Sequence, residues 1–316
     1  MKIIEEIREK AASLKKTIVL PRSSDERVIK AAEFLSKENI CRVVLIKNEK
    51  APEVNKEIEI IDSTSNKKLE KYAASFFEKR KHKGITQEQA MTIVQDPLFY
   101  SASMVSEGDA DGCVAGSVST TGDVLRAAIQ TIGLKPGSNV VSSIFLMSFE
   151  DGRAFSYGDC AVVPYPTAEQ LAIIAVDSAA SHKALTAEEP KVAMLSFSTR
   201  GSARHERVDL VEEALELAKK QDPLLKIDGT LQFDAAMIDS IGKRKAPGSE
   251  VAGNANVFIF PNLDAGNIGY KITERLAGAT ATGPVIQGLV KPMMDLSRGC
   301  SWEDIVNTSC VAALLA

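Results

Sequence analysis

Three stretches of this sequence pair hydroxyls and glycine with a guanidinium. Ser196-Phe197-Ser198-Thr199-Arg200-Gly201-Ser202-Ala203 follows an apolar run and precedes a helical pattern. Small hydroxyls, a glycine and an arginine at a strand-to-helix turn suit a phosphate, because free N–H groups and the helix dipole favour an anion. Ser198, Thr199 and Ser202 are the phosphate-side candidates; the plain alternative is an ordinary capped helix start. Ser117-Val118-Ser119-Thr120-Thr121-Gly122-Asp123 has the same character, with Arg126 at helical spacing from Asp123. Here too a capped helix carrying a surface ion pair explains the pattern. The third stretch is Asp295-Leu296-Ser297-Arg298-Gly299-Cys300-Ser301-Trp302-Glu303-Asp304. It places a fixed cation, Arg298, on an expected cleft edge, with Ser297 beside it and Asp304 able to act as a base. Ser301-x-x-Asp304 equally fits a helix capping box, and the pattern alone favours the cap. Cys300 has no histidine near it in sequence and reads as a packing residue.

A basic cluster, Lys79-Arg80-Lys81-His82-Lys83-Gly84, follows Lys67, Lys68 and Lys71. It suits a polyphosphate, but a solvated helix end accounts for it as well. No GxxxxGK[ST], GxGxxG or GxSxG occurs in a fitting context, which disfavours P-loop, dinucleotide and serine-hydrolase chemistry. The five cysteines form no metal-ligand spacing, and the three histidines are too few for a convincing zinc site.

Positioning such residues requires a scaffold, and the pattern supplies one. Thr17–Leu20, Arg42–Ile46, Ile58–Ile61, Ala110–Gly116, Val192–Leu195 and Val257–Phe260 read as short strands alternating with helices. Helices are expected near 2–14, from Ser24 as cap, at 121–132, and near 167–183, 205–220 and 264–277. Glu150-Asp151-Gly152 signals a hairpin between two strands. The expected fold is α/β: two three-layer αβα lobes with mostly parallel sheets. One lobe is 1–136 plus 290–316 and the other 137–289, with the site in the cleft between them. Leu134-Lys135-Pro136-Gly137 and Leu289-Val290-Lys291-Pro292 are the crossovers.

The chain has 316 residues, is 45% hydrophobic and 25% charged, and carries a net charge of -4. That composition suits a globular protein rather than a nucleic-acid binder. No apolar run reaches the length of a membrane span, and the N-terminus reads as a helix rather than a leader. A cytoplasmic location with reduced thiols is expected.

Taken together, several segments resemble the phosphate acetyltransferases within the phosphate acetyl/butyryltransferase group. They include Asp109–Gly137, Gly158–Pro164, Leu195–Ala203, Asp234-Ala235-Ala236, Phe260–Lys271, Glu274-Arg275-Leu276, Gly283-Pro284 and Asp295–Ser301. The order and spacing hold over nearly the whole chain. The Ser-Thr-Thr-Gly-Asp run and the intact Leu-Lys-Pro-Gly look more like the acetyl branch. Phosphate butyryltransferase is the alternative activity, and a non-catalytic acyl-phosphate- or CoA-binding protein a more distant one. An NAD(P)-dependent decarboxylating dehydrogenase on a related fold lacks its carboxylate cluster and Lys/Tyr pair here.

The resemblance implies acetyl phosphate + CoA ⇌ acetyl-CoA + phosphate, a role in acetate metabolism and a fold similar to the isocitrate/isopropylmalate dehydrogenases. It implies a homodimer, no metal, and no tightly bound cofactor, with CoA as a substrate. No nucleic acid or membrane is an expected partner. By resemblance Asp304 takes the thiol proton, Arg298 binds acetyl phosphate and stabilises the transition state, and Ser297 positions the thiol or bonds the oxyanion. Arg80 and Arg126 are assigned to the CoA phosphates and Arg275 to substrate binding. Asp304 is expected to be partly desolvated, which would raise its basicity. Two departures stand out: Pro21-Arg22-Ser23-Ser24 replaces the family's usual Pro-Glu-Gly turn, and the chain is expected to stop inside its final helix. Neither is expected to touch the chemistry.

Overall fold

A computed structural model describes residues 2–47 and 51–316. The chain divides into two compact units, one built from Ile4–Pro136 and Leu289–Ala316, the other from Gly137–Gly288.

The first unit opens with α1 (Lys2–Leu14), β1 (Thr17–Leu20), α2 (Glu26–Lys37), β2 (Arg42–Lys47) and β3 (Glu59–Asp62). Three helices follow, α3 (Leu69–Arg80), α4 (Gln87–Val94) and α5 (Pro97–Glu107), then β4 (Gly112–Ala115) and α6 (Thr121–Thr131). The segment where the sequence pattern marks only a basic cluster is therefore largely helical. Pro21 ends β1, since it cannot donate to the ladder. Helix α2 forms because Val28, Ala31, Ala32 and Leu35 make one buried stripe. Its cap is Asp25, one residue beyond the expected Ser24: the Asp25 carboxylate accepts from the Arg27 N–H at 3.0 Å.

The second unit contains β5 (Ser142–Ser148), β6 (Ala154–Gly158), α7 (Ala168–Thr186), β7 (Lys191–Leu195), α8 (Glu206–Gln221) and β8 (Lys226–Leu231). It continues through α9 (Phe233–Met237), α10 (Asp239–Lys245), β9 (Val257–Ile259), α11 (Leu263–Ala277) and β10 (Thr280–Gln287). The Asp151-Gly152 turn joins β5 to β6 as an antiparallel pair, as its composition predicts. The six strands run β10-β5-β6-β9-β7-β8, parallel from β6 onward. Phe145, Tyr157, Phe258 and Phe260 pack on one face of this sheet and Leu171, Ile174, Val192 and Val257 on the other.

The chain then returns to the first unit with β11 (Met293–Asp295) and α12 (Trp302–Leu314), a helix that closes before the last residue. The first unit's sheet is β11-β4-β1-β2-β3, all parallel. Its three neighbouring strands β11, β4 and β1 therefore end on the same side. Ligands of open α/β sheets bind at such C-terminal strand ends.

Candidate active site

Three loops leave those strand ends. Arg22–Asp25 follows β1, Gly116–Thr120 follows β4 and Leu296–Ser301 follows β11. Gly116 has φ +99°, and a Cβ there would collide with the Leu296 backbone and the Asp295 carboxylate. Only glycine lets the second and third loops lie this close.

One guanidinium ties the three together. Arg27 donates from Nε and Nη2 to the two Asp25 carboxylate oxygens, at 3.0 and 2.9 Å. Its remaining donors reach the carbonyls of Ser117 at 2.9 Å, Arg298 at 2.8 Å and Cys300 at 2.8 Å. All five N–H groups of the side chain are used. Burial pushes the Asp25 carboxyl upward, but hydrogen bonds from Arg27 and Ser117 outweigh it and hold the acid below its ordinary value. In sequence, Asp25-Glu26-Arg27 shows no more than a helix start after the Ser24 cap position, and nothing there marks Arg27. Its only trace is an acid and a base two residues apart, just after a strand.

The Ser297-Arg298 pair stands on this support. Both residues are exposed, and the Arg298 guanidinium has no hydrogen bond or ion pair among the described residues. Ser297 accepts from the Gly299 N–H at 3.2 Å, which shapes the turn. Asp304 lies at the third position of α12 and accepts from the Ser301 N–H at 2.8 Å, while Ser301 accepts from the Asp304 N–H at 3.1 Å. The capping box is therefore real. The expected desolvation of Asp304 is not found: the carboxylate is exposed, because the third residue of this helix faces outward at its open end. Cys300 is 8% exposed, and burial raises its pKa even though Arg27 opposes the shift.

Asp295, at the end of β11, is 2% exposed. Its Oδ2 accepts from the Thr121 hydroxyl at 2.6 Å, while Oδ1 has no partner. Burial lifts its pKa to about 6, although the Thr121 hydroxyl pulls the other way.

Arg126 pairs with Asp123 at 2.6 Å on the exposed face of α6. Arg80 ends α3, half-buried and without a side-chain partner among the described residues. Part of the basic cluster around it is already engaged by the protein itself. Lys68 meets Asp109, Lys71 meets Glu107 at 3.1 Å, Lys81 meets Glu78 at 2.5 Å, and Lys79 bonds the Thr131 carbonyl at 2.6 Å.

The remaining candidates belong to the second unit. Arg275 is in the last turn of α11, its side chain 78% exposed and 3.5 Å from Glu274. The Ser198–Ser202 turn is closed on itself. The Ser202 hydroxyl accepts from the Thr199 N–H at 3.0 Å, and the Ser198 hydroxyl accepts from the Ala203 N–H at 3.0 Å. The Thr199 hydroxyl faces Gln232, and Arg200 pairs with Asp228 at 2.6 Å. Ser198 and Thr199 are buried.

Comparison with known proteins identifies the family. The Phosphate acetyl/butaryl transferase model matches residues 2–313. A phosphate acetyltransferase of Thermoanaerobacterium thermosaccharolyticum is 49% identical over 329 aligned positions, covering 100% of each chain. A phosphotransacetylase structure from Streptococcus pyogenes superposes with a TM-score of 0.94 at 40% identity, over 99% of this chain and 97% of that one. A structure described as a putative 4-hydroxythreonine-4-phosphate dehydrogenase from Salmonella typhimurium gives a TM-score of 0.52 at 12% identity, over 96% of this chain and 100% of that one. That last likeness is one of fold alone. With its family model spanning nearly all of it and close relatives aligned from end to end, the chain belongs to the phosphate acetyl/butyryl transferase family.

Proposed function

We propose that this chain is an acyltransferase catalysing acetyl-CoA + phosphate ⇌ CoA + acetyl phosphate. Full-length similarity to phosphate acetyltransferases supports the reaction. The observation that carries the site is the free Arg298 guanidinium, held over the strand ends by the Arg27 clasp.

The thiol of CoA attacks the acetyl carbonyl of acetyl phosphate directly, in a ternary complex. Asp304 takes the thiol proton; its capping contact uses Oδ2 and leaves Oδ1 for this purpose. Arg298 neutralises the phosphate and the oxyanion that develops as the carbonyl becomes tetrahedral. Ser297 positions the sulfur or donates to that oxyanion. The tetrahedral centre collapses with cleavage of the carbonyl carbon–oxygen bond, and phosphate leaves. Arg80 and Arg126 bind CoA phosphates, and Arg275 contributes to substrate binding. Ser198, Thr199 and Ser202 line the phosphate side chiefly by keeping their turn rigid, which their mutual hydrogen bonds support. No tightly held cofactor takes part.

Cys300 argues for direct transfer. Its burial keeps it a thiol, a poor nucleophile. An acetyl-enzyme route would exchange labelled phosphate into acetyl phosphate without CoA, and the direct route would not.

The enzyme works as a homodimer in the cytoplasm. The exposed stripe Ile268, Ile272 and Leu276 on α11 supports self-association, and five free, buried cysteines support a reducing compartment. No helix among the described residues is long and apolar enough to cross a membrane.

Ultraviolet detection of the thioester tests the function. Acetyl phosphate with CoA is expected to give acetyl-CoA faster than butyryl phosphate gives its thioester. No thioester from either would refute the activity, and preference for butyryl would place the chain in the other branch.

A further inference from the structure

Asp295 closes β11, just before the loop that carries Ser297 and Arg298. Its neighbours along the chain, Met294 and Leu296, are buried apolar side chains, and its own carboxyl is buried with them. Only one oxygen is satisfied. Oδ2 accepts from the Thr121 hydroxyl at 2.6 Å, and Oδ1 has no hydrogen-bond partner among the described residues. A buried carboxyl with an unbonded oxygen lowers stability, and burial disfavours its ionised form. An amide would fill the same place with less penalty. Stability therefore does not account for an acid here, and such groups concentrate where function requires them.

The position does account for it. The Leu296 N–H donates to the Ala115 carbonyl at 2.9 Å, so the chain after β11 leaves the sheet beside the end of β4. Oδ1 lies against Gly116, where a Cβ would stand 2.5 Å from it. Oδ2 reaches Thr121, the first residue of α6. The carboxyl thus spans the root of the Gly116–Thr120 loop, with one oxygen under its first residue and the other bonded to the residue after its last. Arg27 ties this loop to the Arg298 loop further out, through the carbonyls of Ser117, Arg298 and Cys300. Asp295 acts lower down, at the point where the Arg298 loop departs.

We infer that Asp295 is a positioning residue for acyl transfer, which through Thr121 and Gly116 fixes the direction in which Ser297 and Arg298 leave the sheet. At 2% exposure it acts through them rather than on the substrate. The inference rests on the acyltransferase reading and extends it to a residue outside the reacting set.

Steady-state kinetics with acetyl phosphate and CoA, run beside melting curves, test it. Asp295→Ala removes both contacts and is expected to lower kcat about tenfold or more, with a smaller change in either KM. Asp295→Asn keeps an acceptor for Thr121 and is expected to bring kcat back to within about threefold of wild type. Thr121→Val breaks the same bond from its exposed end with the carboxyl in place, and serves alone if the alanine variant does not fold. It is expected to slow turnover as Asp295→Ala does, and the two changes together to cost no more than the alanine alone, because both break one contact. Wild-type kcat in folded Asp295→Ala or folded Thr121→Val would overturn the inference. So would losses that multiply in the double variant, or an asparagine variant as slow as the alanine. Thioester formed at equal rates by wild type and Asp295→Ala would remove this inference alone. No thioester from wild type would remove the acyltransferase reading and the inference with it.

Discussion

Two arginines meet on the same loop and are used in opposite ways. Arg27 spends every N–H on the protein, on Asp25 and on three carbonyls. Arg298, whose own carbonyl is one of those three, spends none of its guanidinium on any described residue. A cation that is fully paired holds structure; a cation left exposed on a rigid base has its charge available to a substrate. On the proposed function, the pair separates stability from chemistry at one loop.

That separation can be broken by experiment. Arg298→Gln is expected to lower kcat by about 100- to 1,000-fold, the scale for one lost transition-state donor, with an unchanged melting temperature. Steady-state kinetics and a thermal melt check both halves. Asp304→Asn keeps the capping geometry and removes the proposed base, so kcat is expected to fall about 100-fold with little loss of stability. Near-full activity would return Asp304 to being a cap only.

Arg27→Gln should show the inverse signature. It strands the Asp25 carboxylate and three carbonyls, at about 2–4 kcal/mol of stability, measurable by urea unfolding. Its pH dependence sharpens the point. Asp25 is held below its ordinary value of 3.8, so its contribution is present above that pH and disappears as pH falls through the folded value. Wild type should therefore lose more stability on acidification than the variant, and equal losses would separate Asp25 from the clasp.

Asp295 carries the smallest expected effect, with the opposite sign. Its pKa is raised to about 6, so the folded state favours the neutral acid and loses stability as pH rises from the ordinary value toward 6. Asp295→Asn is expected to stabilise the protein by about 1–2 kcal/mol at neutral pH and to converge with wild type in acid. Melting curves across that range would show it.

The α/β alternation, the β5–β6 hairpin and the α6 and α12 caps were legible because each depends on local pattern. Ser297, Arg298 and Asp304 were singled out through resemblance, and the Ser301–Asp304 capping box through pattern. Arg27 was not, because three of its acceptors are backbone carbonyls, which carry no residue identity, on segments 90 to 273 residues away. The Ser198–Ser202 turn misleads in the other direction. Its hydroxyls look available in sequence, but folding turns them on one another.

The most direct test follows acetyl-CoA formation from saturating acetyl phosphate and CoA, wild type and Arg298→Gln side by side. The expected result is steady thioester formation by wild type and a loss of about two orders of magnitude or more in an equally folded variant. Equal rates in the two proteins, or no thioester from wild type, would contradict it.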